Sequence, residues 1–129
     1  MSSVVRVLLV DDNVHFRTLL RRLLDRDPEI AVVAEAGDGA EVLEVADESR
    51  PDVVVMDVSM PGLDGIQATY ALEERFPDVS VLMLSVADKT HEVAAGMAGG
   101  AAEYLVKGTR ADEIAAAIKR HAHPQPDPE

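Results

Sequence analysis

With 129 residues, a formal net charge of −12 and no cysteine, the chain suits one domain without disulfides or thiolate metal sites. That charge argues against nucleic-acid contact by this domain itself, since phosphate binding needs a basic face, and it favours metal cations and basic partner surfaces. No apolar run approaches the roughly 20 residues of a membrane span. The N-terminus enters the first strand with no room for a signal peptide, which reads as cytoplasmic. Two Tyr, two Phe and no Trp leave a core of Val, Leu, Ile, Met and Ala.

In chain order, strand-like and helix-like segments alternate five times. That pattern predicts an α/β fold, a doubly wound five-stranded parallel sheet with helices on both faces. The first strand covers 5–10. A helix near 14–26 follows, with Phe16, Leu19, Leu20, Leu23 and Leu24 at helical spacing and Arg17, Arg21 and Arg22 between them. Ile30 to Ala36 forms the second strand, and Gly37-Asp38-Gly39 turns into a helix near 40–49. The third strand, 52–56, is almost all Val, as a strand buried on both faces requires. Residues 59–65 make a turn, with Asp64 as N-cap of a helix near 65–76. The fourth strand is 79–84. The segment 88–100 predicts a weak helix, because Gly96, Gly99 and Gly100 each cost about 1 kcal/mol in a helix interior; such low local stability suits a mobile switch element. The fifth strand is 102–106. The last helix, 110–121, packs through Ile114 and Ile118. Residues 1–122 make the domain, and 123–129 a Pro-rich tail or the start of a linker.

Four strands end on residues with phosphoryl or metal chemistry: Asp11-Asp12, Asp57, Ser85 and Lys107. In a parallel sheet these groups meet at the carboxyl edge, where open α/β folds place ligands. Three neighbouring carboxylates repel, and a hard divalent cation relieves them. Mg²⁺ takes one or two carboxylates and fills its shell with water and phosphate oxygens. Taken alone, the three acids are better explained as solvated loop charges, and Lys107 as a structural ion-pair partner and Ser85 as a helix cap are respectable readings. Together they suit a phosphoryl group on a carboxylate, which needs a cation and hydrogen-bond donors around it. Asp57 ends the most buried strand and is the nucleophile candidate.

At this point the residues reach a family. Val-Asp-Asp (10–12), Val-Val-Met-Asp (54–57), Met-Pro-Gly-Leu-Asp-Gly (60–65), Leu-Ser (84–85) and Tyr-Leu-Val-Lys (104–107) stand in the order and spacing of bacterial two-component response regulator receivers. The chain resembles such a CheY-like receiver domain over residues 4–120. The resemblance implies strand order 2-1-3-4-5 and Asp57 as phosphoacceptor for a sensor histidine kinase. It implies Mg²⁺ held by Asp12, Asp57 and the backbone carbonyl of Ser59, with Asp11 assisting, and Lys107 paired with the phosphoryl group. It further implies that Ser85 and Tyr104 act as switch residues and that the fourth helix, fifth strand and fifth helix form the output face. A receiver of this kind catalyses only its own phosphotransfer and dephosphorylation. Gly108-Thr109 after Lys107 looks like the NarL/FixJ-like subfamily, whose receivers precede a DNA-binding domain. The chain reads as a truncated receiver of a transcription regulator or as a free-standing one, possible as a homodimer through its first and last helices or its fourth-helix face. Val86 stands where the family often has Ala or Gly, so access to the phosphoryl position is narrowed there, and Ala87 and Ser59 bear on water attack.

Two other classes fit less well. An aspartyl-phosphate phosphatase wants a second acid two residues after the nucleophile, where Ser59 stands. A flavodoxin-like nucleotide or flavin binder wants a Gly- or Ser/Thr-rich first loop, where Asp-Asp-Asn stands. A receiver that signals by binding alone remains the alternative. Gly62 and Gly65 read as turn residues. The histidines 15, 91, 121 and 123 lack metal-ligand spacing and read as surface residues, with His15 near enough to the acids to tune them.

Overall fold

The structure, a computed structural model, describes residues 4–58, 65–86 and 90–122. The predicted turn 59–64 with its Asp64 cap, and the tail 123–129, lie outside the described residues. The elements are β1 (Val5–Val10), α1 (Val14–Leu24), β2 (Ile30–Ala36), a 3₁₀ turn (Gly39–Glu41), α2 (Val42–Ser49) and β3 (Val53–Asp57). They continue with α3 (Gly65–Arg75), β4 (Ser80–Ser85), α4 (Thr90–Ala98), β5 (Glu103–Val106) and α5 (Ala111–His121). The five strands are parallel in the order β2-β1-β3-β4-β5, as expected.

Side-chain alternation sorts the core onto two faces. Val5, Val7, Leu9, Val53, Val55, Leu82 and Leu84 pack with Leu20 and Leu24 of α1 and Ile114 and Ile118 of α5. Leu8, Val10, Val54 and Met56 pack with Val42 and Ala46 of α2 and Ala68 and Leu72 of α3. A third, small cluster joins Val58, Met83 and Ala101, with Ile66 and Tyr104 against it. Among the described residues the buried hydrophobic ones are all Val, Leu, Ile, Met or Ala.

Three local expectations change. Leu19, placed on the buried stripe of the first helix, is 56% exposed; Leu20 and Leu24 carry the burial, because α1 meets the sheet along a narrower face. The fourth helix runs only over Thr90–Ala98, so Gly99 and Gly100 lie beyond its end. Gly96, the one glycine inside it, supports close packing, since a Cβ there would overlap the Met83 side chain. A Cβ at Gly99 would lie 2.7 Å from the Tyr70 ring, and Gly100 takes φ +113° where the helix ends. The glycines thus serve contact and termination. Finally, His121 is half-buried, with Nε2 2.7 Å from Glu103 Oε1.

One irregularity positions the site. The β1–β2 register shifts between Val7 and Leu8: Val7 faces Val32, but Leu8 faces Ala34. Val33 is therefore an extra residue, a bulge that reverses alternation along β2. Before it, Ile30 and Val32 face α1 and α5; after it, Ala34 and Ala36 face α2 and α3. Glu35 is thereby turned onto the α1 face.

Candidate phosphoryl and metal site

The carboxyl edge of the sheet gathers the predicted residues. One carboxylate oxygen from each of Asp11, Asp12 and Asp57 lies within 4.8 Å of the others. Asp11 and Asp57 are buried and Asp12 is exposed. Alternation explains the grouping. Asp11 continues the register of Val7 and Leu9, Asp57 that of Val53 and Val55, and Lys107 that of Leu105, all on the α1/α5 face. Asp12, Asn13, Asp57, Ser85, Val86 and Lys107 line an open cleft of about 380 Å³.

Lys107 bridges the acids. Its Nζ is 2.8 Å from Asp11 Oδ2 and 3.6 Å from Asp57 Oδ1. It also lies over the Phe16 ring, 4.7 Å from the centroid. The Lys107 backbone is fixed by its N–H donating to the Ser85 carbonyl at 2.7 Å. Burial pulls the ammonium's pKa down, but the bond to Asp11 and the charges of Asp11 and Asp57 outweigh it, so the value stands above that of ordinary lysine. Lys107 is charged at any physiological pH.

The first acidic loop is held from below. Asn13 caps α1, its Oδ1 accepting from the Phe16 N–H at 3.0 Å, and Asp11 Oδ1 accepts from the Asn13 N–H at 2.9 Å. Arg17 Nη1 donates to the Asp11 carbonyl at 2.5 Å, while its Nε donates to Glu35 Oε1 at 2.7 Å. Arg21 Nη1 takes the other oxygen of Glu35 at 2.5 Å. Burial raises the Glu35 pKa, yet the two guanidinium bonds prevail and hold it below the usual glutamate value.

The far wall differs. Ser85 lines the cleft, but its Oγ donates to the Val86 carbonyl at 2.8 Å. Ser85 shares register with Met83, on the α3/α4 side, as does half-buried Tyr104, which packs in the third cluster. Tyr104 is not among the residues lining the cleft. Val86 is 50% exposed at the rim. Gly65 is no turn residue: a Cβ would overlap the Asp57 carbonyl, so glycine lets α3 start directly against the end of β3. His15 is exposed on α1. Ser59, Gly62, Ala87, the His91 side chain and His123 lie outside the described residues.

The donor set suits a hard divalent cation. It offers three carboxylates, an open cleft, and a buried oxygen, Asp11 Oδ2, that has the Lys107 charge nearby but no well-aligned hydrogen bond. A somewhat larger hollow of about 450 Å³ lies at the opposite sheet edge. Its buried carboxylate, Asp52, already accepts from the Arg6 N–H at 2.9 Å, so it offers no comparable chemistry.

In the sequence Phe16 reads as core and Arg17 as helix surface, and Glu35 does not stand out as a site residue. A signal existed for the last: Glu35 is the one charged residue in Ile30–Ala36. A lone charge in a strand asks for a partner.

This fold and edge define a doubly wound α/β protein with a carboxylate–ammonium site at its switch point. Residues 7–119 match the response regulator receiver domain family. The transcriptional regulatory protein DegU of Brevibacillus brevis is 38% identical over 118 residues, 92% of this chain and 50% of DegU. The chemotaxis protein CheY of Listeria monocytogenes is 32% identical over 119 residues, 92% of this chain and 99% of CheY. The receiver domain of the response regulator NarL from Mycobacterium tuberculosis superposes with a TM-score of 0.86 at 36% identity, covering 92% of this chain and 95% of that one. The chain belongs to the response regulator receiver domain family of two-component systems, and its relatives include transcriptional regulatory proteins and response regulators of the NarL and LuxR kind. It spans about half the length of DegU and of several other curated relatives.

Proposed function

We propose that this domain is a phosphorylation switch: Asp57 takes a phosphoryl group from a histidine kinase, and the change alters an output surface. The observation that carries this reading is the meeting of Asp11, Asp12 and Asp57 within 4.8 Å, with Lys107 Nζ reaching two of them. In the step proposed, an Asp57 carboxylate oxygen attacks phosphorus, the N–P bond of phosphohistidine breaks, and the imidazole leaves. Asp11, Asp12, Asp57 and the Ser59 carbonyl would hold Mg²⁺, which when bound neutralises charge around the phosphoryl oxygens. Lys107 supplies the second counter-charge. Ser85 exchanges its bond to the Val86 carbonyl for a phosphoryl oxygen, and Tyr104, in the same register, follows. Register sharing between Ser85 and Tyr104 supports α4, β5 and α5 as the output face.

On this reading residues 1–122 are the switch domain and 123–129 a tail or linker. The domain works in the cytoplasm, its partners a sensor histidine kinase and, as a homodimer, a second copy. This acidic domain itself touches neither nucleic acid nor membrane; the described helices include none long and apolar enough to cross one. The likeness to DegU and NarL-type proteins supports control of transcription as the output. The test is intact mass after incubation with acetyl phosphate and Mg²⁺. Wild type gains one phosphoryl mass, and Asp57→Asn gains none. No gain in wild type, from acetyl phosphate or from a phosphorylated kinase, would replace this reading with signalling by binding alone.

A further inference from the structure

We propose that Phe16 is a positioning residue for Lys107, its ring holding the ammonium between the metal-side carboxylate Asp11 and the phosphoacceptor Asp57. This rests on the reading of Asp57 given above. Lysine is long and flexible, and much rotamer freedom must be lost before its charge is useful at one point. Backbone bonds fix where the Lys107 side chain starts: its N–H donates to Ser85, and the Thr109 N–H donates to the Val106 carbonyl at 2.9 Å. They do not fix where it ends. Three groups do: Asp11 Oδ2 at 2.8 Å, Asp57 Oδ1 at 3.6 Å and the Phe16 ring at 4.7 Å.

The ring differs in kind from the other two. The negative face of an aromatic ring attracts an ammonium without carrying a net charge. It therefore does not compete with a cation for Asp11 or with a phosphoryl group for Lys107. As it stands, the ammonium is nearer Asp11 than Asp57. A phosphoryl group on Asp57 would draw it toward that side, and the ring face, which already holds it 4.7 Å from the centroid, offers a partner that neither charge displaces. The ring is itself held: Phe16 packs against the core of the α1/α5 face, and its N–H is bound by the Asn13 side chain at the start of α1. Leu105 packs into the same core, and strand alternation puts Lys107 on that side. The contact thus follows from register, two residues on from a core leucine.

The test pairs a kinetic cycle with a readout that needs no phosphorylation. Phe16→Leu keeps apolar bulk and removes the ring face. It is expected to slow Asp57 labelling by acetyl phosphate roughly two- to tenfold, and Phe16→Tyr to stay within about twofold of wild type. In a Lys107→Met background, Phe16→Leu is expected to change nothing further. An equal slowing with and without Lys107 would overturn the proposal, since Phe16 would then act only through packing. The second readout is the NMR shift of the Lys107 ε-methylene, displaced by the ring in wild type and restored by Phe16→Leu. Absence of that displacement in wild type would also overturn it. If wild type is never labelled, the phosphoacceptor reading falls, while the ε-methylene shift still decides whether Phe16 holds Lys107.

Discussion

The two walls of the acidic cleft are built on different principles. On the α1 side, charge is fixed by charge: Glu35 binds Arg17 and Arg21, Arg17 binds the Asp11 carbonyl, and Asp11 binds Lys107. On the β4 side the Ser85 hydroxyl, at the cleft, bonds among the described residues to its own neighbour's carbonyl. Tyr104 stands half-buried against a cluster of three buried residues. On the function proposed above the first is a binding wall, which gains from rigidity because groups already in place need no reorganisation when a charged ligand arrives. On the same proposal the second is a reporting wall, which gains from bonds that exchange at little cost.

Substitutions that sharpen this contrast rank by how much fixed structure they disturb. The largest loss is expected from Gly65→Ala, whose Cβ would meet the Asp57 backbone. A destabilisation of about 3 kcal/mol, read from urea unfolding, would show that α3 is locked to the binding wall; a loss under about 1 kcal/mol would show that it gives way. Next is Glu35→Gln, which leaves two guanidinium groups on α1 without their shared counter-charge, at about 2 kcal/mol near neutral pH. That difference is pH-dependent with a definite sign. The Glu35 pKa is depressed in the fold, so its contribution is complete above the ordinary value of 4.5 and is lost as pH falls through the folded value. Paired unfolding curves for wild type and Glu35→Gln should converge below that range. Persistence of the full gap in acid would mean that Glu35 acts by shape rather than charge.

Gly96→Ala tests the far wall. An exposed helical glycine gains about 1 kcal/mol when changed to alanine. Here the added methyl would meet Met83, which is buried, so a loss of about 1 kcal/mol is expected instead. A gain would show that Met83 steps aside and that α4 is loosely seated. The smallest stability effect belongs to Ser85→Ala, under about 0.5 kcal/mol, together with a clear change in Asp57 labelling rate or phosphoryl lifetime. A large stability loss there would make Ser85 a structural residue and erase the contrast between the walls.

Much of this site is legible in the sequence because strand ends are legible. Val53–Asp57 stops at Asp57 and Ser80–Ser85 at Ser85, and parallel order brings both to one edge. Asp11, Asp12 and Lys107 follow by the same logic. What escaped was partnership across elements. Arg17 looks like any helix-surface arginine until Glu35 is found beside it, and Phe16 looks like core until Lys107 is found above it. The glycines of the fourth helix show the same limit. Propensity is a property of a single segment, whereas Gly96 and Gly99 answer to Met83 and Tyr70 on other elements.

The five-fold alternation, the strand ends, the composition of the core and the residues of the acidic edge are already present in the amino-acid order. Each of these depends on periodicity and on local backbone preference, which a chain carries in its order. Tertiary structure decided the rest. Strict alternation from Ile30 and Val32 would have turned Glu35 away from α1, and the bulge at Val33 reverses it. Such a bulge arises from the pairing of two strands, in which register is a joint property of both partners. The Arg17 clamp, and through it the seat of Asp11, depends on that single extra residue.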